Sequence, residues 1–107
     1  MGVRVTDNTK AASDAILEAA SEALAEVGEA AKAYARQNVH VVTGNLRDSI
    51  DYQVDGNRVT IYAGMPYAPY EELGTSRQPS HPYLKPAVMD HTSEFLGTVA
   101  KAIRDAL

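Results

Sequence analysis

The sequence predicts an α+β fold with a long N-terminal helix, a β-hairpin-based antiparallel sheet, short helical turns and a C-terminal helix. Apolar residues recur at helical spacing from Ile16 to Tyr34 and again from Val88 to Ala106. Between these stretches, Ile50, Tyr52 and Val54, then Val59, Ile61 and Ala63, alternate with polar residues on either side of Gly56-Asn57. Helices that flank one block of strands, without alternating with them, give an α+β arrangement.

The first helix is expected to follow an extended stretch over residues 1–6, to be capped by Asp7 or Thr9, and to run to about Gln37. Ile16, Ala20, Ala23, Val27, Ala30, Ala31 and Tyr34 project on one side, with Leu17 and Leu24 on its flank. Asp14, Glu18, Glu22, Glu29, Lys32 and Arg36 project on the other. Acidic residues come first and basic residues last, as the helix macrodipole favours. Gly28 costs ~1 kcal/mol relative to alanine in a helix interior. It marks either a close backbone approach or a tolerated defect, and the defect is the expectation. About 29 residues at 1.5 Å each span about 44 Å, while a compact domain of this length is about 35 Å wide. Such a helix must bend, break near Gly28 or lie against a neighbouring subunit.

The β-branched stretch from Val39 to Val42 is expected to leave the helix extended, and Thr43 to cap a short turn over Gly44 to Ser49. A two-residue primed turn at Gly56-Asn57 places Val54 opposite Val59, Tyr52 opposite Ile61 and Ile50 opposite Ala63, all on one face. Pro69 can open another short helix, with Glu71 and Glu72 in its first turn and Gly74 as its stop. Thr75 to Pro82 reads as an ordered loop. A last helix is expected from about Pro86 to Leu107, with a stripe of Val88, Thr92, Phe95, Val99, Ala102, Ile103 and Ala106 flanked by Met89 and Leu96. The two long helices are expected to pack on the apolar face of the hairpin, or on each other across it.

A chain of 107 residues is expected to form a single domain over residues 1–107. No apolar run approaches the ~20 residues of a membrane helix, so no membrane partner is expected. The opening Met1-Gly2-Val3-Arg4 lacks the apolar region of a signal peptide, and Gly2 has no myristoylation context. The chain has no cysteine, which excludes disulfides and thiolate metal sites and fits synthesis in a cytoplasm. Its net charge of −4 comes mainly from Asp14, Glu18, Glu22, Glu26 and Glu29. A free-standing DNA binder would show a basic face; no sequence-specific nucleic-acid partner is expected.

The chemistry-bearing residues do not assemble into a catalytic pattern. His91 and Glu94 lie one helical turn apart beside Asp90, but no third ligand stands at a recognised spacing; His40 and His81 fall in other segments. His91 is expected to be a partly buried structural residue, and no metal or cofactor is expected. Glu71 and Glu72 are adjacent, so they point in different directions on one turn, and their place is explained by the macrodipole. Ser49, Ser76 and Ser80 lack a nucleophile-elbow context, and no phosphate-cradling glycine loop is present. Tyr62, Tyr67, Tyr70 and Tyr83 gather around a Pro-rich loop. They form either a small core beneath it or an interface, where tyrosine and arginine are enriched. Arg47 and Arg77 either pair across a subunit boundary or are solvated charges.

Four pieces occur in order: Thr43-Gly44-Asn45-Leu46-Arg47-Asp48-Ser49-Ile50, Val59-Thr60-Ile61-Tyr62-Ala63-Gly64, Pro66-Tyr67-Ala68-Pro69-Tyr70-Glu71-Glu72-Leu73-Gly74-Thr75, and Pro82-Tyr83-Leu84-Lys85-Pro86-Ala87. In this order, between two helices, the chain resembles small head–tail joining, neck and tail-completion proteins of long-tailed phages and prophages. The resemblance carries no motif in the first helix. It implies a structural virion protein without catalytic residues, made in the host cytoplasm and placed in the neck or tail. It also implies self-association into a ring, six-fold by default for a tail end, with other neck and tail proteins as partners. Under it, Arg47, Tyr67, Tyr70, Arg77 and Tyr83 are the expected interface residues, on a proline-stiffened edge that loses little entropy on docking. A tail-terminator or peripheral minor-tail role is the alternative within the class. A small metal-dependent enzyme or regulator using His91, Glu94 and Glu71 is the alternative outside it, and a DNA-touching module of the neck channel is a third.

Overall fold

Residues 5–38 contain no proline and a single glycine, with alanine recurring throughout. They form one unbroken helix, α1 (Val5–Asn38, 34 residues). The structure, a computed structural model, describes residues 5–39, 44–65, 68–74 and 82–107, and of residues 5–10, 12, 70 and 71 it describes the backbone alone. Val5 and Thr6, expected to be extended, are already helical. A first turn leaves its N–H groups open and welcomes an acidic residue, so Asp7 is as well placed inside the turn as at its cap.

At 1.5 Å per residue α1 is about 51 Å long. The molecule measures 73 × 23 × 23 Å with a radius of gyration of 18.5 Å, against about 13 Å for a compact chain of this size. The long helix therefore neither breaks at Gly28 nor folds back; it projects.

The remaining elements are α2 (Gly44–Asp48), β1 (Ile50–Asp55), β2 (Arg58–Ala63), α3 (Ala68–Leu73), α4 (Leu84–Met89) and α5 (Thr92–Ala106). α1 is the spine, and α2, the hairpin, α4 and α5 all pack against it. β1 and β2 form a two-stranded antiparallel sheet, with Ile50 paired to Ala63, Tyr52 to Ile61 and Val54 to Val59. That is the register read from the alternation. Gly56 has φ +61° and no described non-glycine residue has positive φ, the φ signs of a type II′ turn. Gly74 (φ +75°) stops α3 in the left-handed conformation.

One buried cluster joins Ala35, Val39, Leu46, Ile50, Ala68, Tyr83 and Ala87. A second joins Val27, Ala31 and Phe95, with Val59, Ile61 and Val99 packed against it. α1 contributes mainly alanine and valine, so it approaches its partners closely. Val39, expected in an extended exit, still donates its amide to Ala35 O at 3.0 Å and is buried. Thr43, read as a cap, lies outside the described residues, as does most of the loop expected over 75–82.

Gly28 is a close approach and not a tolerated defect. A Cβ there would lie 2.6 Å from Cγ and 2.9 Å from Cε2 of Tyr52, on the facing strand. The single C-terminal helix expected from Pro86 is also corrected. The helix starts at Leu84 and breaks at Asp90-His91 into α4 and α5. His91 has φ −123°, and its N–H bonds to Val88 O at 3.3 Å. Thr92 Oγ1 donates to the Val88 and Met89 carbonyls at 3.3 and 3.2 Å, holding the corner with side-chain bonds that compete with helix continuation. The break lets two short faces bury separately: Ala87 joins the first cluster and Phe95 the second. Val88 and Thr92, assigned to one continuous stripe, are consequently exposed.

Candidate assembly interface

The short helices α2, α3 and α4 gather at the C-terminal end of α1. Ala68 of α3, Tyr83, Leu46 of α2 and Ala87 of α4 share one cluster with Ala35 and Val39. Their order is held by a single carboxylate. Glu72 Oε1 accepts from the Tyr83 N–H at 3.1 Å and the Leu84 N–H at 2.7 Å, and Oε2 from the Lys85 N–H at 3.4 Å. These are open donors of the first turn of α4, which has no side-chain cap of its own. Sequence reasoning assigned Glu72 to the dipole of its own helix. Its work is instead to cap the next one, across a separation of 12 residues to Leu84. A carboxylate shortly before a proline-flanked helix start was the available signal.

Among the expected interface residues, Tyr83 is wholly buried at 0% exposure. Its hydroxyl donates to Ala68 O at 3.3 Å, and its carbonyl accepts from Asn38 Nδ2 at 3.5 Å. It ties α3, α4 and α1 together and presents no surface in the subunit. The small-core reading of the tyrosines thus holds for Tyr83. Arg47 is exposed on α2, with a loose contact at 3.8 Å from Nε to Asp48 Oδ1. Tyr70 contributes its backbone to α3; its side chain, and all of Tyr67 and Arg77, lie outside the described residues.

Apart from Tyr62, already placed in the tyrosine group, the visible surface here is formed by residues that sequence reasoning did not single out as contacts. Leu73 is 78% exposed at the end of α3. With Tyr62, Pro69 and Leu84 it lines a groove of about 320 Å³ between β2, α3 and α4. A leucine at the last position of a six-residue helix was the readable hint, since so short a helix cannot bury every side.

The opposite end of the molecule differs. Between Lys10 and Lys32, α1 carries Asp14, Glu18, Glu22, Glu26 and Glu29 and no basic residue. The C-terminal end of α5 reaches the level of Ala19 and Ala23, and the hairpin turn shares a groove with Leu17, Ala20 and Leu24. Leu17, on the wall of that groove, is 64% exposed, and Ile16, one residue further out, is half-buried.

At the α1–α5 corner, the Tyr34 hydroxyl donates to Glu94 Oε2 at 2.6 Å. The Tyr34 ring stacks on His91 with centroids 3.5 Å apart and planes 2° from parallel. His91 Nδ1 lies 3.6 Å from the same carboxylate oxygen. The hydrogen bond to Glu94, then burial, raise the Tyr34 pKa above its ordinary value. His91 and Glu94 are thus joined to a tyrosine in a corner brace. Among the described residues no group of His, Asp or Glu is arranged to hold a metal ion, and no helix is long and apolar enough to cross a membrane.

A comparison against protein families gives a match. Residues 4–74 match the HK97-gp10-like family, described as "Bacteriophage HK97-gp10, putative tail-component". The chain belongs to this family. No curated protein and no solved structure gives a significant match. The HK97-gp10-like match runs through α1, α2, the hairpin and α3, and stops before α4. It thus includes the first helix, in which no motif was legible. It assigns the chain to the structural tail components of phage particles, as the four pieces from Thr43 to Ala87 implied, although the last of them, Pro82 to Ala87, lies beyond the matched residues.

Proposed function

We propose that this HK97-gp10-like chain is a non-enzymatic neck subunit that joins head and tail or completes the head-proximal end of the tail. It acts as one member of a symmetric ring, six-fold by default, in contact with other neck and tail proteins. The observation that carries this reading is the shape of the subunit. A helix of 34 residues extends past the described elements that pack on it, and Ala11, Ser13, Asp14 and Ala15 on its outer turns are exposed. A spine that outruns its own core is suited to contacts between subunits, and the two ends present different surfaces, as a head-to-tail ring requires. The role is one of position and stiffness. The acidic balance argues against a part that binds DNA directly.

Electron microscopy of the parent phage particle, with this chain tagged, tests the reading. Density for a closed ring at the head–tail junction is the expected result. Single copies scattered along the tail tube, or absence from the finished particle, would overturn it.

A further inference from the structure

The hairpin is the whole of the sheet among the described residues, so each strand has a free edge. Backbone groups on a free edge must find partners or water. Around a two-residue turn Asp55 and Arg58 exchange hydrogen bonds, and the alternation makes Gln53–Thr60 and Asp51–Tyr62 the next bonded pairs. The residues between them turn their N–H and C=O groups outward: Ile50, Tyr52 and Val54 on β1, and Val59, Ile61 and Ala63 on β2. The β1 edge is guarded. Arg36 Nη2 donates to Ile50 O at 3.3 Å, and the Tyr52 N–H donates to Asp51 Oδ1 at 2.8 Å. No such side chain closes β2: among the described residues, no hydrogen bond reaches the outward groups of Val59, Ile61 or Ala63.

Ile61, Tyr62 and Ala63 line the groove that also holds Leu73 and Leu84. Successive strand residues point to opposite faces, so a groove lined by three in a row looks onto the edge of β2. Resting on the neck reading above, we infer that this edge takes up one strand in trans, an extended segment of another neck or tail protein. Outward donors and acceptors at two-residue spacing are met in register only by another extended backbone. The stretch from Val59 to Met65 carries no charge, so the middle of the segment is uncharged. Exposed Lys85, beside Leu73 and Leu84 at the α4 end, calls for an acidic residue where the segment passes it. A second copy is not the source. Its described strands are β1 and β2, and its β1 edge is guarded in the same way. Pairing β2 with β2 is isologous, and closes as a dimer instead of running round a ring.

Hydrogen exchange read at single amides tests this on the natural chain, free and in the parent phage particle. In the free chain the ladder should protect Thr60 and Tyr62, while Ile61 and Ala63 exchange freely at every concentration. In the particle the Ile61 and Ala63 amides should slow by about tenfold or more. Lys85→Glu, with the free-chain pattern kept, should lower the copies per particle several-fold; an unchanged copy number would overturn the acidic residue of the segment. Slow Ile61 and Ala63 amides in the dilute free chain would show the edge closed within the subunit. Slowing that grows with concentration would make a second copy the occupant. Either result overturns the proposal. Free exchange retained in the particle overturns it too, and leaves a ring at the head–tail junction standing. A chain missing from the particle overturns the neck reading itself, and this strand uptake with it.

Discussion

The ring of Tyr52 lies against the backbone of Gly28, in the space where any other residue would carry its Cβ. A methyl group there would stand 2.6 Å from Tyr52 Cγ, the root of the ring, which cannot swing away without moving the strand. The phenol group reaches one residue further along α1 and hydrogen-bonds to the Glu29 carboxylate. The hairpin is thereby set on α1 at one height, with Lys32 Nζ 3.4 Å from Asp51 Oδ1 and Arg36 Nη2 donating to Ile50 O at 3.3 Å on the following turns.

Gly28→Ala is therefore expected to destabilise the protein although it favours the helix. Overpacking costs about 1–3 kcal/mol, against a propensity gain of up to ~1 kcal/mol. In a Tyr52→Ala background the same change should become neutral or stabilising. Urea denaturation of the four proteins in this cycle measures the coupling. Equal effects of Gly28→Ala in both backgrounds would show that the glycine is not there for the tyrosine.

Glu72→Ala should cost about 0.5–2 kcal/mol, the range for losing a helix cap. Glu72→Gln, which keeps one acceptor oxygen, should lose less. Hydrogen exchange at Tyr83, Leu84 and Lys85 would read the effect locally, because their amides are the ones Glu72 accepts from. Unchanged exchange there in Glu72→Ala would rule out the cap.

The pH dependence has two arms. Hydrogen bonding to Glu94 raises the Tyr34 pKa above 10.0, and hydrogen bonding to Glu29 raises that of Tyr52. A raised folded-state pKa means stability that is whole below pH 10 and is lost as the pH climbs from there through the folded values. Ultraviolet titration is clean because the chain has no tryptophan. Two of the phenols should ionise late, and Glu94→Gln should bring Tyr34 back toward 10.0. At the acid end, the Tyr52 N–H first, and then Lys32, hold Asp51 below its ordinary 3.8. Its contribution is present above that value and disappears as the pH falls through the lower folded one. Asp51→Asn should flatten the acid limb of the stability curve.

Local patterning alone settled much of this molecule. Helical spacing along α1, the alternation on both sides of Gly56-Asn57, and the stop at Gly74 each depend on neighbours close in the chain, so helix, register and turn were legible, and so was the excess length of the first helix. The family was legible too, from short pieces between Thr43 and Ala87. What the tertiary structure decided was every relation between distant residues. Gly28 looked like a defect because Tyr52 is far along the chain. Glu72 looked like part of its own helix because the amides it caps lie beyond the next loop. Tyr83 looked available because burial is a property of the packed cluster. The C-terminal helix broke because Ala87 and Phe95 serve two different clusters, and no period read along one segment can register that its two halves must face different ways.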